Sequence, residues 1–402
     1  MATVLVVGAG AAGLVAAIHA AGRGHTIIVI ESTSDGGRKI VISGGGRCNV
    51  LPEALEPNRF VTDSSQPLLR RLLRSWPLDD QRAFFEKDVG VPLTFEAETR
   101  KYFPASHRAR DVRDGLIALA GRRGVQLRFS EPLQSLAPAG GGAWIATTSR
   151  GRLEADRVIL ATGGRSVPAT GSDGAGIAFA ASLGHAITPV YPALTPLMAD
   201  PPIHARLSGI SLPVRLRARW RDLDAEAHGG FLFTHHGYSG PSVLDVSHVL
   251  VRARLAGERG SLRVRWCDLD AQGWTAEFQD GRGLALTAVS RRMPARLAEQ
   301  LLADARVPAD RRAGDLRRDE RIALVERLTS YELVVTSDEG YKKAEVTGGG
   351  VTLDQVDPRT MESRVTPGLF LCGELLDAFG PIGGHNFAWA WATGRLAGLG
   401  AT

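Results

Sequence analysis

Three glycines near the start of the chain, Gly8, Gly10 and Gly13, have the spacing G-x-G-x-x-G. In a dinucleotide site the first glycine permits a tight turn, the second lets the backbone approach a pyrophosphate, and the third lets a helix pack closely on a strand. Glu31 follows 21 residues after Gly10, where a carboxylate can accept hydrogen bonds from ribose hydroxyls and would repel a 2′-phosphate. The spacing therefore predicts a dinucleotide site that disfavours NADP.

The sequence around these glycines predicts the strand, helix and second strand that a dinucleotide site needs. Thr3–Val7 is a short apolar run typical of a strand in a parallel sheet. Residues 11–21 are rich in Ala and predict a helix, and Thr26–Ile30 predicts a second strand. The helix would begin at Ala11 and Ala12 and direct its free N–H groups at phosphate. The alternative is a Gly-rich turn that binds nothing, but a complete βαβ unit favours dinucleotide binding.

Residues 32–49 favour FAD over NAD. Five of these 18 residues are Gly, and they alternate with Arg38, Lys39 and Arg47. This composition predicts no regular element, but rather a backbone that follows an extended anionic ligand with its N–H groups and its charge. An NAD domain would continue with another βαβ unit, and a flexible surface loop is the remaining alternative. The predicted FAD contacts here are Arg38, Lys39, Gly44, Gly46, Arg47, Cys48 and Asn49.

Two distant segments support the same cofactor. Residues 157–164 and 367–377 each predict a buried strand that ends in small or acidic residues. A loop and a predicted helix at residues 387–399 follow, and the positive end of that helix would stabilise anionic reduced flavin and raise its redox potential. The predicted contacts in these segments are Ala161, Thr162, Gly163, Gly373, Glu374, Asp377, Gly384, His385, Asn386 and Phe387.

An ordered set of motifs spans nearly the whole chain. It includes G-R-K-I-V-I-S-G-G-G-R-C-N at residues 37–49, Y-F-P-A-S-H-R-A-R-D-V at residues 102–112, L-F-T-H-H-G-Y-S-G-P-S-V-L at residues 232–244 and A-E-V-T-G-G-G-V at residues 344–351. With these motifs the chain resembles the BaiN/RdsA-like (YhiN-like) family of FAD-dependent, NAD(P)H-linked oxidoreductases. The family usually has G-G-Y-N where this chain has G-G-H-N with His385, and the R-C-N motif continues differently. These differences bear on the substrate rather than on FAD binding.

The resemblance implies an α/β fold. A two-dinucleotide-fold-type FAD domain, Rossmann-like, would comprise residues 1–190 and 345–402. An inserted β-barrel-like domain would comprise residues 191–344, with a small helical subdomain near residues 270–330. The residues agree with this expectation, because the alternating run at residues 214–220 is typical of a half-buried strand.

Histidines are the candidate catalytic residues, because imidazole titrates near neutral pH. His385 is the first candidate, since its motif places it at the flavin-facing helix start; the alternative is that it only holds the cofactor. His235 lies in a T-H-H-G-Y-S-G-P segment that either closes over the flavin or only forms a tight turn, and the turn is favoured. Cys48 has no neighbouring cysteine, so a redox pair with Cys372 is disfavoured.

Composition sets the remaining expectations. The 402 residues are 44% hydrophobic and 23% charged, with a net charge of +5 and no apolar run of the ~20 residues that span a membrane. Three cysteines without a C-x-x-C pair argue against zinc and disulfides, and no leader peptide is evident, so we expect a cytoplasmic location. Basic residues are interleaved with acidic ones, so we expect no nucleic-acid partner. With the other features of the composition, this leads us to expect a small-molecule substrate, no metal and no membrane.

The leading functional hypothesis is an FAD-dependent reductase or dehydrogenase. It would pass hydride between a nicotinamide donor and a small unsaturated or carbonyl acceptor, with NADH or NADPH docking transiently because no separate nicotinamide domain is visible. The alternatives are a flavoprotein that acts on RNA and a flavin redox sensor without enzymatic activity. Only the basic net charge supports the first of these.

Overall fold

The computed structural model describes residues 2–22 and 24–402. The chain divides into two compact units. The first unit runs to Pro192 and resumes at Glu345, and the second is Ala193–Ala344. No helix among the described residues is both long enough and apolar enough to cross a membrane.

Strands and helices alternate in the first unit, whereas strands and then helices dominate the second. In the described residues the strands are, in chain order, β1 (Thr3–Val7), β2 (Thr26–Ile30), β3 (Leu51–Pro52), β4 (Leu93–Glu96), β5 (Lys101–Pro104), β6 (Gln126–Arg128), β7 (Leu133–Pro138), β8 (Trp144–Thr148), β9 (Gly151–Ala155), β10 (Arg157–Leu160), β11 (Ile187–Ala193), β12 (Leu197–Met198), β13 (Ser211–Trp220), β14 (Leu223–Phe233), β15 (Gly237–Ser239), β16 (Ser261–Arg265), β17 (Tyr331–Leu333), β18 (Ser337–Asp338), β19 (Val346–Val351) and β20 (Leu369–Leu371). The helices are α1 (Ala11–Ala20), α2 (Arg38–Ile42), α3 (Gln66–Arg74), α4 (Leu78–Ala83), α5 (Ala109–Arg122), α6 (Ala175–Ser182), α7 (Pro241–Leu255), α8 (Ala271–Asp280), α9 (Ala285–Ser290), α10 (Ala295–Asp304), α11 (Arg318–Thr329) and α12 (His385–Gly400).

A five-stranded parallel sheet forms the core of the first unit, with the order β20-β10-β1-β2-β6. Its central strands are runs of Val, Ile and Leu that are almost wholly buried, as expected for a sheet with both faces covered. This sheet confirms the predicted α/β class with a Rossmann-like domain. The same unit holds two small antiparallel sheets, β3-β5-β4 and β7-β8-β9, and the pair β11-β19.

Helices α1 and α12 pack together against this sheet through backbone contact. A Cβ atom at Gly394 would overlap the carbonyl oxygen of Ala12, and one at Gly398 would overlap that of Ala16. Only glycine permits such an approach of two helices. The packing joins the N-terminal half of α1 to the C-terminal half of α12 within the first unit.

The second unit is built on a seven-stranded antiparallel sheet, in the order β17-β16-β13-β14-β15-β12-β18. In β13 the residues Val214, Leu216 and Ala218 are buried while the arginines between them are exposed, as the alternating sequence predicted. Helices α8 to α11 and the long helix α7 complete a separate hydrophobic core. This sheet is the antiparallel part of the mixed fold.

Two local predictions differ from the structure. Residues 32–49 were expected to contain no regular element, but residues 38–42 form helix α2 because Ile40 is drawn into the core. Helix α12 begins two residues earlier than expected, because Gly384 adopts a left-handed conformation with φ of 98° and ends the preceding loop.

Candidate functional site

Four strands of the parallel sheet end at the same edge, and the residues that follow them converge there. Gly8 follows β1, Glu31 follows β2, Ala161 follows β10 and Gly373 lies after β20. A Cβ atom at Gly8 would lie 2.6 Å from the Ala161 carbonyl oxygen, so the backbones touch. Ligands of doubly wound sheets bind at this edge, outside the carboxyl ends of the strands.

The turn into α1 has the geometry that a pyrophosphate needs. The first bond of the helix runs from the Leu14 N–H to the Gly10 carbonyl at 3.0 Å, so the N–H groups of Ala11, Ala12 and Gly13 have no partner within the helix. No side chain caps this end. A Cβ atom at Gly13 would overlap the Gly8 carbonyl oxygen, whereas one at Gly10 would have no atom within 4 Å. The open space at Gly10 and the unpartnered N–H groups fit a phosphate group.

Glu31 is held in place by its neighbours. Its Oε2 accepts the Ala9 N–H at 2.8 Å, and its Oε1 accepts both the N–H and the hydroxyl of Thr33 at 2.8 Å. A carboxylate offers about four acceptor positions, so Oε2 retains one for a further donor. The carboxylate is thus fixed at the strand end with capacity for a ribose hydroxyl.

The two predicted arginines of residues 32–49 have acidic partners within the protein. Nε of Arg38 donates to Asp35 at 2.6 Å, and Nη1 of Arg47 donates to Glu96 at 3.0 Å. The Arg47 guanidinium also lies 4.3 Å from the centre of the Phe103 ring. Their charges are therefore shared with carboxylates, and their contact with a cofactor stays a prediction.

The glycine run between them forms a tight left-handed turn. Gly44, Gly45 and Gly46 have φ values of 57°, 66° and 86°, and side chains at Gly45 and Gly46 would meet open space. A Cβ atom at Gly44 would lie 2.8 Å from the Asn49 Oδ1. This turn leaves its backbone accessible to a ligand.

Cys48 closes the turn and is fully buried. Burial raises the pKa of its thiol to about 12, so the thiolate is absent near neutral pH. Cys372 is equally buried, burial likewise raises its pKa to about 12, and both are free thiols. These features match small buried hydrophobic residues rather than a redox pair.

A partly buried polar cluster joins two predicted cofactor residues. Nζ of Lys39 donates to Glu374 Oε2 and to Ser166 Oγ, both at 2.6 Å, and Ser166 donates to Glu374 Oε1 at 2.7 Å. The Thr347 N–H also donates to Glu374 Oε1, at 3.0 Å. Sequence reasoning missed Ser166 and Thr347, and the only available signal was the A-E-V-T-G-G-G-V motif that contains Thr347.

The other acidic candidate, Asp377, ties two loops together. Its Oδ2 accepts the Asp63 N–H at 3.0 Å and the Ser64 hydroxyl at 2.8 Å. Burial raises the pKa of Asp377 above its usual range, although these donors partly oppose that shift. Asp377 therefore holds residues 62–64 in place, and its contact with a cofactor stays a prediction.

The remaining predicted contacts lie after β10 and at the start of α12. Ala161, Thr162 and Gly163 follow β10, and a Cβ atom at Gly176 would overlap the Thr162 hydroxyl. The Phe387 ring stacks on Trp391 with centroids 5.2 Å apart. The Phe387 ring is therefore engaged within α12.

His385 begins α12 and is enclosed. A Cβ atom at Gly384 would lie 2.7 Å from the Leu51 backbone, and the Asn386 side chain clamps the preceding loop by two bonds of 2.9 Å with Gly380. The His385 side chain packs against Phe60, with ring centroids 6.1 Å apart. These contacts fix the imidazole at the helix N-terminus.

Both ring nitrogens of His385 are buried, and neither has a hydrogen-bond partner among the described residues. The residue is 6% exposed, and burial, assisted by the nearby Arg59 charge, lowers the pKa of His385 to about 4. The backbone groups of Ile382 and Ala54 near the imidazole raise its pKa slightly and so oppose this shift. Neither forms a hydrogen bond of normal geometry with a ring nitrogen. The expectation that this imidazole titrates near neutral pH is therefore wrong for the protein without a ligand. Buried unpartnered polar atoms are costly, so these nitrogens fit a polar ligand.

The second predicted histidine, His235, is exposed in a turn of the second unit. The Thr234 hydroxyl accepts the N–H groups of His236 and Gly237 at 3.3 and 3.0 Å. These bonds form the tight turn that the segment predicted. A catalytic role for His235 stays a prediction.

Tyr238, which directly follows this turn, belongs to a buried chain of polar groups. Its hydroxyl lies 2.8 Å from His204 Nδ1, His204 Nε2 lies 3.0 Å from the Tyr331 hydroxyl, and that hydroxyl donates to Asp304 at 2.6 Å. Burial raises the pKa of both tyrosines and lowers the pKa of His204. The hydrogen-bonded groups before Asp304 are thus uncharged, and they find their hydrogen-bond partners within the core of the second unit. Within the described residues, no group of three or more His, Cys, Asp and Glu could hold a metal ion.

Comparison with known proteins gives matches along the whole chain. The family model described as HI0933-like protein Rossmann domain matches residues 2–400. The 3-dehydro-bile acid delta(4,6)-reductase of Clostridium scindens is 30% identical over 405 residues, which cover 98% of each chain. The ribosomal RNA dihydrouridine synthase of Escherichia coli is 29% identical over 395 residues, which cover 97% of this chain and 95% of that protein.

Solved structures share the fold at lower identity. The 3-ketosteroid-delta4-(5alpha)-dehydrogenase from Rhodococcus jostii RHA1 has a TM-score of 0.52 at 16% identity, covering 100% of this chain and 96% of that one. The 3-ketosteroid delta1-dehydrogenase from Sterolibacterium denitrificans has a TM-score of 0.52 at 13% identity, covering 99% of both chains. These likenesses show a common fold.

Proposed function

Because the chain belongs to the HI0933-like Rossmann family, as its motifs predicted, we propose that it is an FAD-dependent oxidoreductase that transfers hydride from NADH or NADPH to a small unsaturated or carbonyl acceptor. The names of two relatives, a delta(4,6)-reductase and a dihydrouridine synthase, support a reductase of an unsaturated acceptor. FAD, when bound, supplies the hydride chemistry.

The single observation that carries this proposal is the convergence at one sheet edge. Gly8, Glu31, Ala161 and Gly373 come from three distant parts of the chain, yet the backbones of Gly8 and Ala161 touch there, and the Gly373 backbone approaches Ala12. The N–H groups at the start of α1 would bind the pyrophosphate, and Glu31 would accept a ribose hydroxyl. The turn of Gly44–Gly46 and the Lys39–Glu374 pair would border the same extended ligand.

His385 would act on the reacting end of the site. A pKa of about 4 leaves this imidazole neutral near pH 7, with one N–H to donate and one nitrogen to accept. It would hold a polar atom of the flavin or of the acceptor at the N-terminus of α12, where the helix dipole stabilises negative charge. The N–H of a neutral imidazole can also donate a hydrogen bond to an acceptor oxygen and stabilise the negative charge that develops there as the acceptor gains hydride.

The flavin spectrum tests the reaction. The purified protein should show flavin absorbance near 450 nm, or acquire it when FAD is added. Under anaerobic conditions NADH or NADPH should bleach this absorbance, and an α,β-unsaturated ketone should restore it. A protein that takes up no FAD contradicts the whole proposal, and a flavin that neither nicotinamide reduces contradicts its hydride-transfer part.

The variant Gly10→Val tests the position of the cofactor. The side chain enters open space and Gly10 has a φ of −78°, so the variant should fold, but it should fill the space where the phosphate would lie. We expect its affinity for FAD to fall by at least 100-fold in equilibrium titration. Gly121→Ala on the exposed surface of α5 is the matched control and should bind FAD normally. Full FAD occupancy in Gly10→Val would contradict this placement.

A further inference from the structure

An open groove of about 560 Å³ lies on the first unit, between α3 and the C-terminal part of α12. Four arginines line it: Arg70, Arg71 and Arg74 from α3, and Arg359 from the segment after β19. All four are exposed, and none of the described residues that line the groove is acidic. The groove therefore presents guanidinium groups from two elements to one space.

These arginines lack the acidic partners that many other arginines of the described chain have. Among the described residues, Arg71, Arg74 and Arg359 form no ion pair, and Arg70 donates only to the neutral Asn58 Oδ1, at 2.8 Å. By contrast, Arg59 on a neighbouring turn pairs with Glu56 at 3.3 Å. Clustered like charges without counter-charges repel each other, and an anion in the groove would relieve that repulsion.

The groove lies away from His385, the predicted contact at the start of α12. Leu396 forms part of its wall and lies eleven residues after His385 in α12. At 1.5 Å per residue, about 16 Å of helix separate the two positions. The groove would therefore bind its own ligand while the sheet edge holds the cofactor.

We propose that this groove binds the phosphodiester backbone of a nucleic acid. Guanidinium groups bind phosphate with two parallel hydrogen bonds, and several of them in an open groove suit a polymer of phosphates better than a single small anion. A membrane surface is a poorer fit, because no exposed large apolar side chain lines the groove to enter a bilayer. Aromatic residues are also absent from the lining, so the contact would be to phosphates rather than to bases.

Salt-dependent binding tests the proposal without any reference to flavin chemistry. The probes are a fluorescein-labelled 20-nucleotide RNA, the DNA of the same sequence, and vesicles of phosphatidylserine and phosphatidylcholine. The test variant is Arg71→Gln/Arg74→Gln/Arg359→Gln. The control variant, Arg259→Gln/Arg291→Gln/Arg318→Gln, removes the same charge from exposed arginines that form no ion pair in the described part of the chain.

Three lost phosphate contacts should reduce the slope of log K against log salt by about 2 for single strands. Raising salt from 50 to 200 mM should therefore weaken the wild type about 20-fold more than the test variant, for RNA and DNA alike. The control should keep the wild-type slope, and all proteins should keep the same flavin absorbance. Equal slopes in test and control variants would overturn the proposal, and so would binding to the vesicles without binding to RNA or DNA.

Discussion

Replacement of His385 by Gln should make the stability of the FAD-free protein less dependent on pH. Burial lowers the pKa of His385 from 6.5 to about 4. Between these values the unfolded chain binds a proton that the folded chain does not, so stability that is present above pH 6.5 is lost as the pH falls towards 4. At pH 5 the proton-binding ratio of the two states is roughly 30, which corresponds to about 2 kcal/mol; at pH 8 it is close to one.

Urea unfolding at pH 8 and pH 5 measures this effect. The free energy of unfolding of the wild type should fall by about 2 kcal/mol more than that of His385→Gln between the two pH values. Other buried histidines contribute equally to both proteins, so the difference isolates His385. His236→Gln, at an exposed position, should retain the wild-type pH dependence. Identical pH dependence in His385→Gln and the wild type would show that the imidazole is solvated or paired, and would remove the basis for its proposed role.

Two further predictions concern the residues around the cofactor site. Lys39→Met should lower the free energy of unfolding by about 1–3 kcal/mol, because it leaves the Glu374 carboxylate mostly buried without its cation. Lys39→Met/Glu374→Gln should recover part of that loss in urea titrations, and strictly additive losses would show that the two residues do not interact. Cys48 should resist iodoacetamide at pH 8 in the folded protein, since burial raises its pKa to about 12, while the half-buried Cys267 reacts first by mass spectrometry. Alkylation of Cys48 as fast as that of Cys267 would contradict its burial.

The geometry of the turn between β1 and α1 could be predicted from the sequence because it depends on neighbouring residues. Gly8, Gly10 and Gly13 lie within six residues; a Cβ atom at Gly8 or Gly13 would overlap backbone atoms, whereas one at Gly10 would meet open space. The α/β class followed in the same way, since β1 and β2 are apolar runs separated by one helix. Local spacing sufficed because the partners are neighbours in the chain.

Other features could not be predicted because their partners are far apart in the chain. Lys39 meets Glu374 across 335 residues, and Arg359 joins the arginines of α3 across nearly 300. Acidic and basic residues alternate along the sequence, and the sequence therefore does not reveal a groove whose charged residues are all arginines. The shift in the pKa of His385 depends on the depth at which the helix start is buried, which the G-G-H-N motif does not encode.

The candidate site is built mainly from backbone contacts, and this explains which substitutions the fold can accept. Gly394 lies against Ala12, and Gly8 against Ala161, so side chains at these glycines would push apart the elements that carry the unpartnered N–H groups. His385, by contrast, fills a pocket without forming hydrogen bonds, so another ring of similar size could occupy its place without moving α12. On the proposed function, cofactor binding would depend on these glycines, whereas the choice of acceptor would vary through the residue at position 385.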